Sequence, residues 1–340
     1  MNQVRIALNI CTYKREQNLK AILEVLKKSE FFNSSNFHYF NKLHIFVVDN
    51  ASELTLEDFP NLHLFYNPNT GGSGGFQRGI EEIRKINDFT HVIFMDDDVK
   101  FEISSFYILY DFLENVDAGN ADRPIAGRMF DIDNPNIQWT AAERWNSGVI
   151  QHVEFLRDIS NPDNPYTPGK VIYDTDADYG GFWFCCYPYQ FVLKNDIIPF
   201  FLHCDDVEYG LRCTRRPLII EGVHVWHKTW EKKINSAFVY YDYRNTLFVN
   251  SLYNHLLKIK DLESEFFQKI SEYHICKEYL NEYMIIIAMR DFLRGKKWLY
   301  RVDACKYHNK ISNVKTNKVK NAITWRCVML RMKLKYFYLK

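Results

Sequence analysis

A chain of 340 residues, 47% hydrophobic and 25% charged, has globular make-up and room for one large domain or two ordinary ones. Its formal net charge of +1 argues against nucleic acid as the main partner, since nucleic-acid-binding proteins carry a clear basic excess. No run approaches the roughly 18 apolar residues of a membrane span, and the eight cysteines form no CxxC pair. The N-terminus lacks the basic-then-apolar pattern of a signal peptide, so reduced thiols and a cytoplasmic location are expected.

In chain order, "VRIALNICT" reads as a strand, followed by an amphipathic helix over about 16–29. "KLHIFVVDN" and "NLHLFYN" are further strands, then a helix over about 75–87, then the strand "HVIFMDD". Apolar runs alternating with helices predict βαβ units, a mostly parallel sheet and right-handed crossovers. Ligands of such sheets bind beyond the carboxyl ends of the strands. Thr12 with Arg15, Asp49 with Asn50, the stretch "NTGGSGGFQRGI" and three successive aspartates all fall there. From about 120 to 230 the elements shorten; they include a helix at "DDVEYGLR" and a strand "RPLIIEGVHVW". Beyond 236 the pattern is helical, with a long stretch through "FFQKISEYHICKEYLNEYMIIIAMRDFL".

Four clusters carry chemistry. On an extended chain Asp96 and Asp98 point to one side, where alternate carboxylates converge on a hard cation such as Mn²⁺ or Mg²⁺. The ordinary alternative is a turn or cap at a strand end. Glycines before a helix allow close backbone approach, and amides opening the helix suit anionic oxygens, with Arg78 one turn further in. The spacing fits neither a Walker loop nor GxGxxG. "HCDDVEYGLR" offers Asp205, Asp206 and Glu208, as helix caps or as a general base in a cleft. "HVWHKTW" places His224 and His227 at a strand end, one of them a candidate third metal ligand. After Asp303 no acidic residue follows, while "TWRCVMLRMKLKYFYLK" interleaves basic and apolar side chains. Contact with an anionic membrane surface and docking against the chain's own body are both open there.

The ordered series "CTYKRE", "VVDNAS", "NTGGSGGFQRG", "MDDDV", "YGGFWF", "CDDVEYGLR", "VWHKTW" and "YYDYRN", over roughly 4–250, resembles inverting nucleotide-sugar glycosyltransferases of the GT-A fold, family 2. Within that family it is most similar to bacterial galactofuranosyltransferases. The resemblance implies a GT-A domain over 1–235, with a nucleotide-binding half (1–100) and an acceptor-binding half (101–235), and a helical region over 236–340. It implies that Thr12, Arg15 and Asp49 hold the uridine of a UDP-sugar. Gly71, Gly72, Ser73, Gly74, Gly75, Arg78 and Asp97 would line the donor pocket. Asp96, Asp98 and His227 would hold Mn²⁺ or Mg²⁺ against the diphosphate. Asp206, beside Asp205, matches the base; Phe182 and Trp183 match an aromatic acceptor platform, although the family often has two tryptophans there. The first strand begins at Val4, without the N-terminal β-sandwich of the mycobacterial polymerising enzymes, so addition of one or a few residues is expected. The implied acceptor is a cell-surface glycan or lipid-linked oligosaccharide such as a capsule or O-antigen precursor. Other nucleotide-sugar donors, a nucleotidyltransferase and a non-catalytic carbohydrate-binding protein are the alternatives.

Overall fold

The computed structural model describes residues 4–229, 235–253 and 259–338, and side chains outside 254–265 and 332–340. The chain divides into two compact units: Met1–Trp145, Ile150–Ile198 and Asp206–Lys232 form one, and Asn146–Val149, Pro199–Asp205 and Lys233–Lys340 the other.

The first unit opens with β1 (Ile6–Thr12), α1 (Glu16–Lys27), β2 (Leu43–Asp49), β3 (Leu62–Tyr66), α2 (Gly71–Ile86), β4 (His91–Asp96) and α3 (Ser104–Asn115). It continues with β5 (Ile125–Asp131), β6 (Ile137–Thr140), β7 (Ala142–Asn146), β8 (Val149–Val153), β9 (Arg157–Asp158), β10 (Val171–Ile172), β11 (Cys185–Pro188), α4 (Tyr189–Lys194), α5 (Asp205–Leu211) and β12 (Leu218–His227), of which only the end residues Asn146, Val149 and Asp205 fall in the other unit. The main sheet runs β10-β12-β5-β11-β4-β1-β2-β3. β1 to β4 pair in parallel, and β12 is parallel to β5. β11 runs antiparallel between β4 and β5. The expected mostly parallel α/β sheet is present.

Every residue of β2 is buried, because helices cover both faces of the sheet. Side chains sort by the strand period of two. Leu8, Ile10, Ile45, Val47, Ile93 and Met95 join one cluster with Leu19 of α1 and Leu109 of α3. Ala7, Phe46, Val92 and Phe94 join the other with Phe76, Ile80 and Ile83 of α2. The register of the main sheet shifts between Met129 and Phe130, where β5 pairs with β6, and more strongly along β12. Ile219 of β12 faces Ala126 of β5, but His224 faces Arg128, so β12 gains three residues on its neighbour across a bulge. Gly222 sits in that bulge at φ +95°.

The second unit contains α6 (Ser236–Leu252), α7 (Ile259–Ile275), α8 (Tyr279–Phe292), α9 (Lys296–Leu299), α10 (Ala304–Ser312) and α11 (Lys318–Tyr338). The unbroken run Met284–Met289 is buried, which makes α8 the central helix. The long helical pattern of the sequence is two helices, not one. Lys277 takes φ +60°, Lys277 N–H donates to His274 O, and Glu278 N–H donates to Tyr273 O. Those paired bonds are a Schellman end, which stops α7 despite continuing apolar periodicity. α11 docks through Val328 and Asn321, whose Nδ2 donates to Tyr279 O at 2.8 Å. Docking therefore holds for its first half; the side chains of 332–340, which carry the rest of the basic aromatic tail, lie outside the described residues. Among the described residues no helix is long and apolar enough to cross a membrane.

Burial gives the first unit a pH signature. It pushes His91, 8% exposed at the start of β4, down to about 4 from 6.5. His224 falls to about 4 through burial and then Arg128, and His44 through burial, Arg5 and His63. Such imidazoles fold neutral but protonate when unfolded, so their contribution is complete above pH 6.5 and is lost as pH falls to about 4. Urea midpoints should therefore fall between pH 6.5 and 4. His91→Gln should lower that slope by up to about 1.4 kcal/mol per pH unit; an unchanged slope would remove His91 from the account.

Candidate active site

Three strand ends meet at one edge of the first unit. β4 ends at Asp96 and the chain turns through Asp97 and Asp98. Strand alternation sends the middle acid inward. Asp97, 3% exposed, accepts from Thr12 Oγ1 at 2.6 Å and from Arg15 Nη1 at 2.6 Å, both at the end of β1. Arg15 Nη1 also lies 3.2 Å from Asp98. Burial would lower the Arg15 guanidinium, but Asp97 and Asp98 outweigh it and hold the group above its ordinary value. Thr12 and Arg15 thus build the floor of the acidic turn.

Asp96 and Asp98 point the other way and meet His227, the last residue of β12. His227 Nε2 lies 2.9 Å from Asp98 Oδ1 and 3.9 Å from Asp96 Oδ2. One ligand atom from each residue falls within 4.8 Å of the others. The imidazole is 4% exposed, whereas the Asp96 side chain is 37% exposed, so the cluster is anchored on one side and open on another. The backbone sets this meeting: Lys100 N–H donates to Trp226 O at 2.8 Å and Trp226 N–H donates to Lys100 O at 2.7 Å. Two carboxylates and an imidazole, with open positions for water or phosphate oxygens, suit Mn²⁺ and also admit Mg²⁺. His224, the other strand-end histidine, is packed instead against Phe130 and Trp226 and lies 3.1 Å from Tyr166 Oη.

The glycine stretch is not a loop. α2 begins at Gly71, four residues before the expected start, and the glycines form its first turn. Gly71 takes φ +70°, and a Cβ on Gly75 would strike Cys11 Sγ and Asn50 Nδ2. Glycine therefore lets α2 start against the ends of β1 and β2. Asn50 Nδ2 donates to Gly71 O at 2.9 Å, and Asn67 Nδ2 donates to Asn50 Oδ1 at 2.7 Å. Asn67 was not singled out from sequence; the asparagine-proline turn before the glycines was its signal. Ser73 is wholly buried, while Gly72 and Gly74 complete the turn, Gly74 against Thr70.

Several expected ligand-binding side chains are engaged by the protein itself. Asp49 is 0% exposed and accepts from the backbone N–H of Ala51, Glu53 and Leu54, each at 2.8 Å. It shapes the loop after β2 rather than presenting a carboxylate to solvent. Arg78 Nε donates to Glu82 Oε1 at 2.8 Å, and its guanidinium lies over Phe65. Phe182 and Trp183 are not an open platform. Phe182 stacks on Phe94 at 4.7 Å and 15°, and Trp183 Nε1 donates to Gly127 O at 2.8 Å. Exposures of 4% and 5% place both in the core, on its opposite faces, as alternation along "GFWF" dictates. Asp205 and Asp206 open α5, both half-buried. Burial is the main cause that raises the Cys185 thiol, and the Asp206 carboxylate adds to it. Asp206 is thus near β11, whose Cys185 pairs with Phe94, two residues before Asp96.

Known proteins share parts of this architecture. Residues 8–169 form a glycosyl transferase family 2 domain. The chain is 28% identical over 261 residues to galactofuranosyltransferase GlfT2 of Mycolicibacterium smegmatis, covering 71% of this chain and 39% of that protein. It is 26% identical over 276 residues to the Mycobacterium tuberculosis GlfT2, covering 74% and 40%. The chain thus spans about two fifths of the length of these curated relatives. Among solved structures, S. aureus TarS 1-349 superposes with a TM-score of 0.50 at 12% identity, covering 98% of this chain and 92% of that one. The fold is of the GT-A type.

Metal binding is directly measurable. Mn²⁺ at a hundred times its Kd should stabilise the protein by about 2.7 kcal/mol. Asp98→Ala and His227→Ala should abolish that thermal shift and the Mn²⁺-dependent part of UDP affinity. Equal shifts in wild type and both variants would place the ion elsewhere.

Proposed function

We propose that the protein is a metal-dependent inverting glycosyltransferase that moves galactofuranose from UDP-galactofuranose to a hydroxyl of a cell-surface glycan or lipid-linked oligosaccharide. The meeting of Asp96, Asp98 and His227 at the carboxyl edge of the sheet carries this proposal. The distant GlfT2 relatives support the choice of donor. A divalent ion held by those three residues supplies charge neutralisation on the diphosphate when bound.

The remaining roles fall to the chain itself. Thr12, Arg15 and the loop shaped by Asp49 form the uridine end, with Asp97 as their internal anchor. The start of α2, Gly71 to Gly75, brings backbone amides to the donor, and Arg78 flanks it. Asp206, with Asp205 beside it, accepts the proton of the acceptor hydroxyl as its oxygen attacks the anomeric carbon. The bond to the diphosphate breaks on the opposite face, so an α-linked donor yields a β-linked product. The second half of the family domain and the segment through β12 bind the acceptor, and Phe182 and Trp183 support that surface from within the core.

Asp206→Asn should reduce transfer at least a thousandfold while leaving Mn²⁺-dependent UDP binding within about twofold. Full transfer by that variant would exclude Asp206 as the base. Incubation with UDP-galactofuranose, UDP-galactopyranose and dTDP-rhamnose, followed by mass spectrometry, tests the donor; consumption of another sugar alone would exclude galactofuranose.

A cytoplasmic enzyme acting on lipid-linked acceptors would work at the inner face of the membrane. Opposite its docked face, α11 presents Val319, Ile323 and Leu330, 68%, 59% and 63% exposed, together with exposed Arg326 and Lys320. Apolar and basic side chains on one helix face fit an anionic bilayer surface. Ile323→Glu with Leu330→Glu should cut sedimentation with phosphatidylglycerol vesicles about tenfold. Unchanged sedimentation would assign the face no membrane role.

A further inference from the structure

Leading into α5, three residues other than glycine hold positive φ within four positions: Phe201 at +72°, His203 at +67° and Cys204 at +66°. A Cβ disfavours that region, and such a cluster persists only where its surroundings over-determine it. One face of α6, within the same unit, does so. Tyr241, Arg244, Asn245 and Phe248 recur at the spacing of a single helical face. Asn245, wholly buried, donates through Nδ2 to Leu202 O at 2.7 Å and His203 O at 2.9 Å. Arg244, 2% exposed, donates through Nη2 to Phe200 O and through Nε to Asn245 Oδ1 at 2.8 Å. Because a guanidinium only donates, this last bond fixes the amide with its oxygen toward Arg244 and its NH₂ toward the turn. Tyr241 stacks on Phe201 at 5.3 Å and 19°, and Asp242 lies 3.1 Å from His203.

The turn carbonyls thus find donors on α6 instead of in a helix or sheet ladder. The residues immediately after the turn are Asp205 and Asp206. We infer that Asn245, oriented by Arg244, is a positioning residue for this acidic pair: it holds the left-handed turn that sets where α5 starts and in which direction its first carboxylates leave the backbone. This rests on Asp206 being the base. Neither Asn245 nor Arg244 touches a reacting atom in this proposal.

The test uses the full chain with Mn²⁺ and UDP-galactofuranose (or the donor that the screen above selects), an alkyl galactoside as acceptor, and UDP release as readout. Asn245→Ala should lower kcat 30- to 300-fold per folded molecule, with donor KM and UDP Kd within about twofold. It should cause little further loss in an Asp206→Asn background. Arg244→Lys, which keeps the charge but cannot bond both Phe200 O and Asn245 Oδ1, should give a smaller loss with the same split, and it replaces Asn245→Ala if that variant does not fold. Wild-type kcat per folded molecule in these variants, while Asp206→Asn is inactive, would overturn the positioning role and leave the base assignment standing. Full activity of Asp206→Asn would instead remove the base assignment itself. A fall in kcat that merely tracks the folded fraction, or an equal rise in donor KM, would reduce Asn245 to a packing residue.

Discussion

The exchange of backbone hydrogen bonds between Lys100 and Trp226 is the constraint on which the site depends. Two carboxylates from one turn and an imidazole from a strand more than a hundred residues later have no intrinsic reason to meet. Without a cation the acids repel one another, and Coulomb terms alone would open the turn. A two-way bridge two residues after Asp98 and one before His227 fixes both segments from the backbone. Arg15 relieves part of the repulsion from below, bonded to Asp97 and close to Asp98. The cluster is therefore held in place before any ligand arrives, which is the condition for a site that discriminates by charge and geometry.

Around this clamp, polar side chains divide into those that shape backbone and those that meet other side chains nearer the surface. Asp49, Asn50 and Asn67 lie at the strand ends, yet their hydrogen-bonding capacity goes into loops and into the start of α2. Asp97 does the same between β1 and β4. Asp96 and Asp98 instead meet His227, with Arg15 beside Asp98, and their side chains are 37% and 15% exposed. Position beyond a strand end is thus necessary for ligand contact but does not secure it; burial decides which of the side chains there reach solvent.

Strand and helix alternation was legible in the sequence because buried apolar runs and amphipathic helices leave different periods, and the acidic triplet announced itself by its electrostatic cost. Legibility failed where tertiary contacts override local signals. Glycines that read as a loop form a helical turn, packed so closely that Cys11 and Asn50 occupy the place of a side chain at Gly75. Apolar periodicity runs through Lys277, but hydrogen bonding there ends α7. Phe182 and Trp183 carry the same letters whether they stack on a sugar or on a core, and only the packing of Phe94 and the carbonyl of Gly127 distinguish the two. Of the two histidines near the end of β12, local pattern gave no basis for choosing.

That choice is made by the bulge at Gly222. Had β12 kept the alignment of Ile219 with Ala126, the residue opposite Asp131 at the mouth of the sheet would be His224; the three residues gained there bring His227 to that place. The two imidazoles are thus alternative occupants of one position, selected by strand slippage. Removing the three extra residues would flatten the strand yet leave His227 opposite Asp131, whereas straightening the strand at constant length would carry His224 there; the kink therefore acts as a spacer that meters which imidazole reaches the acidic turn.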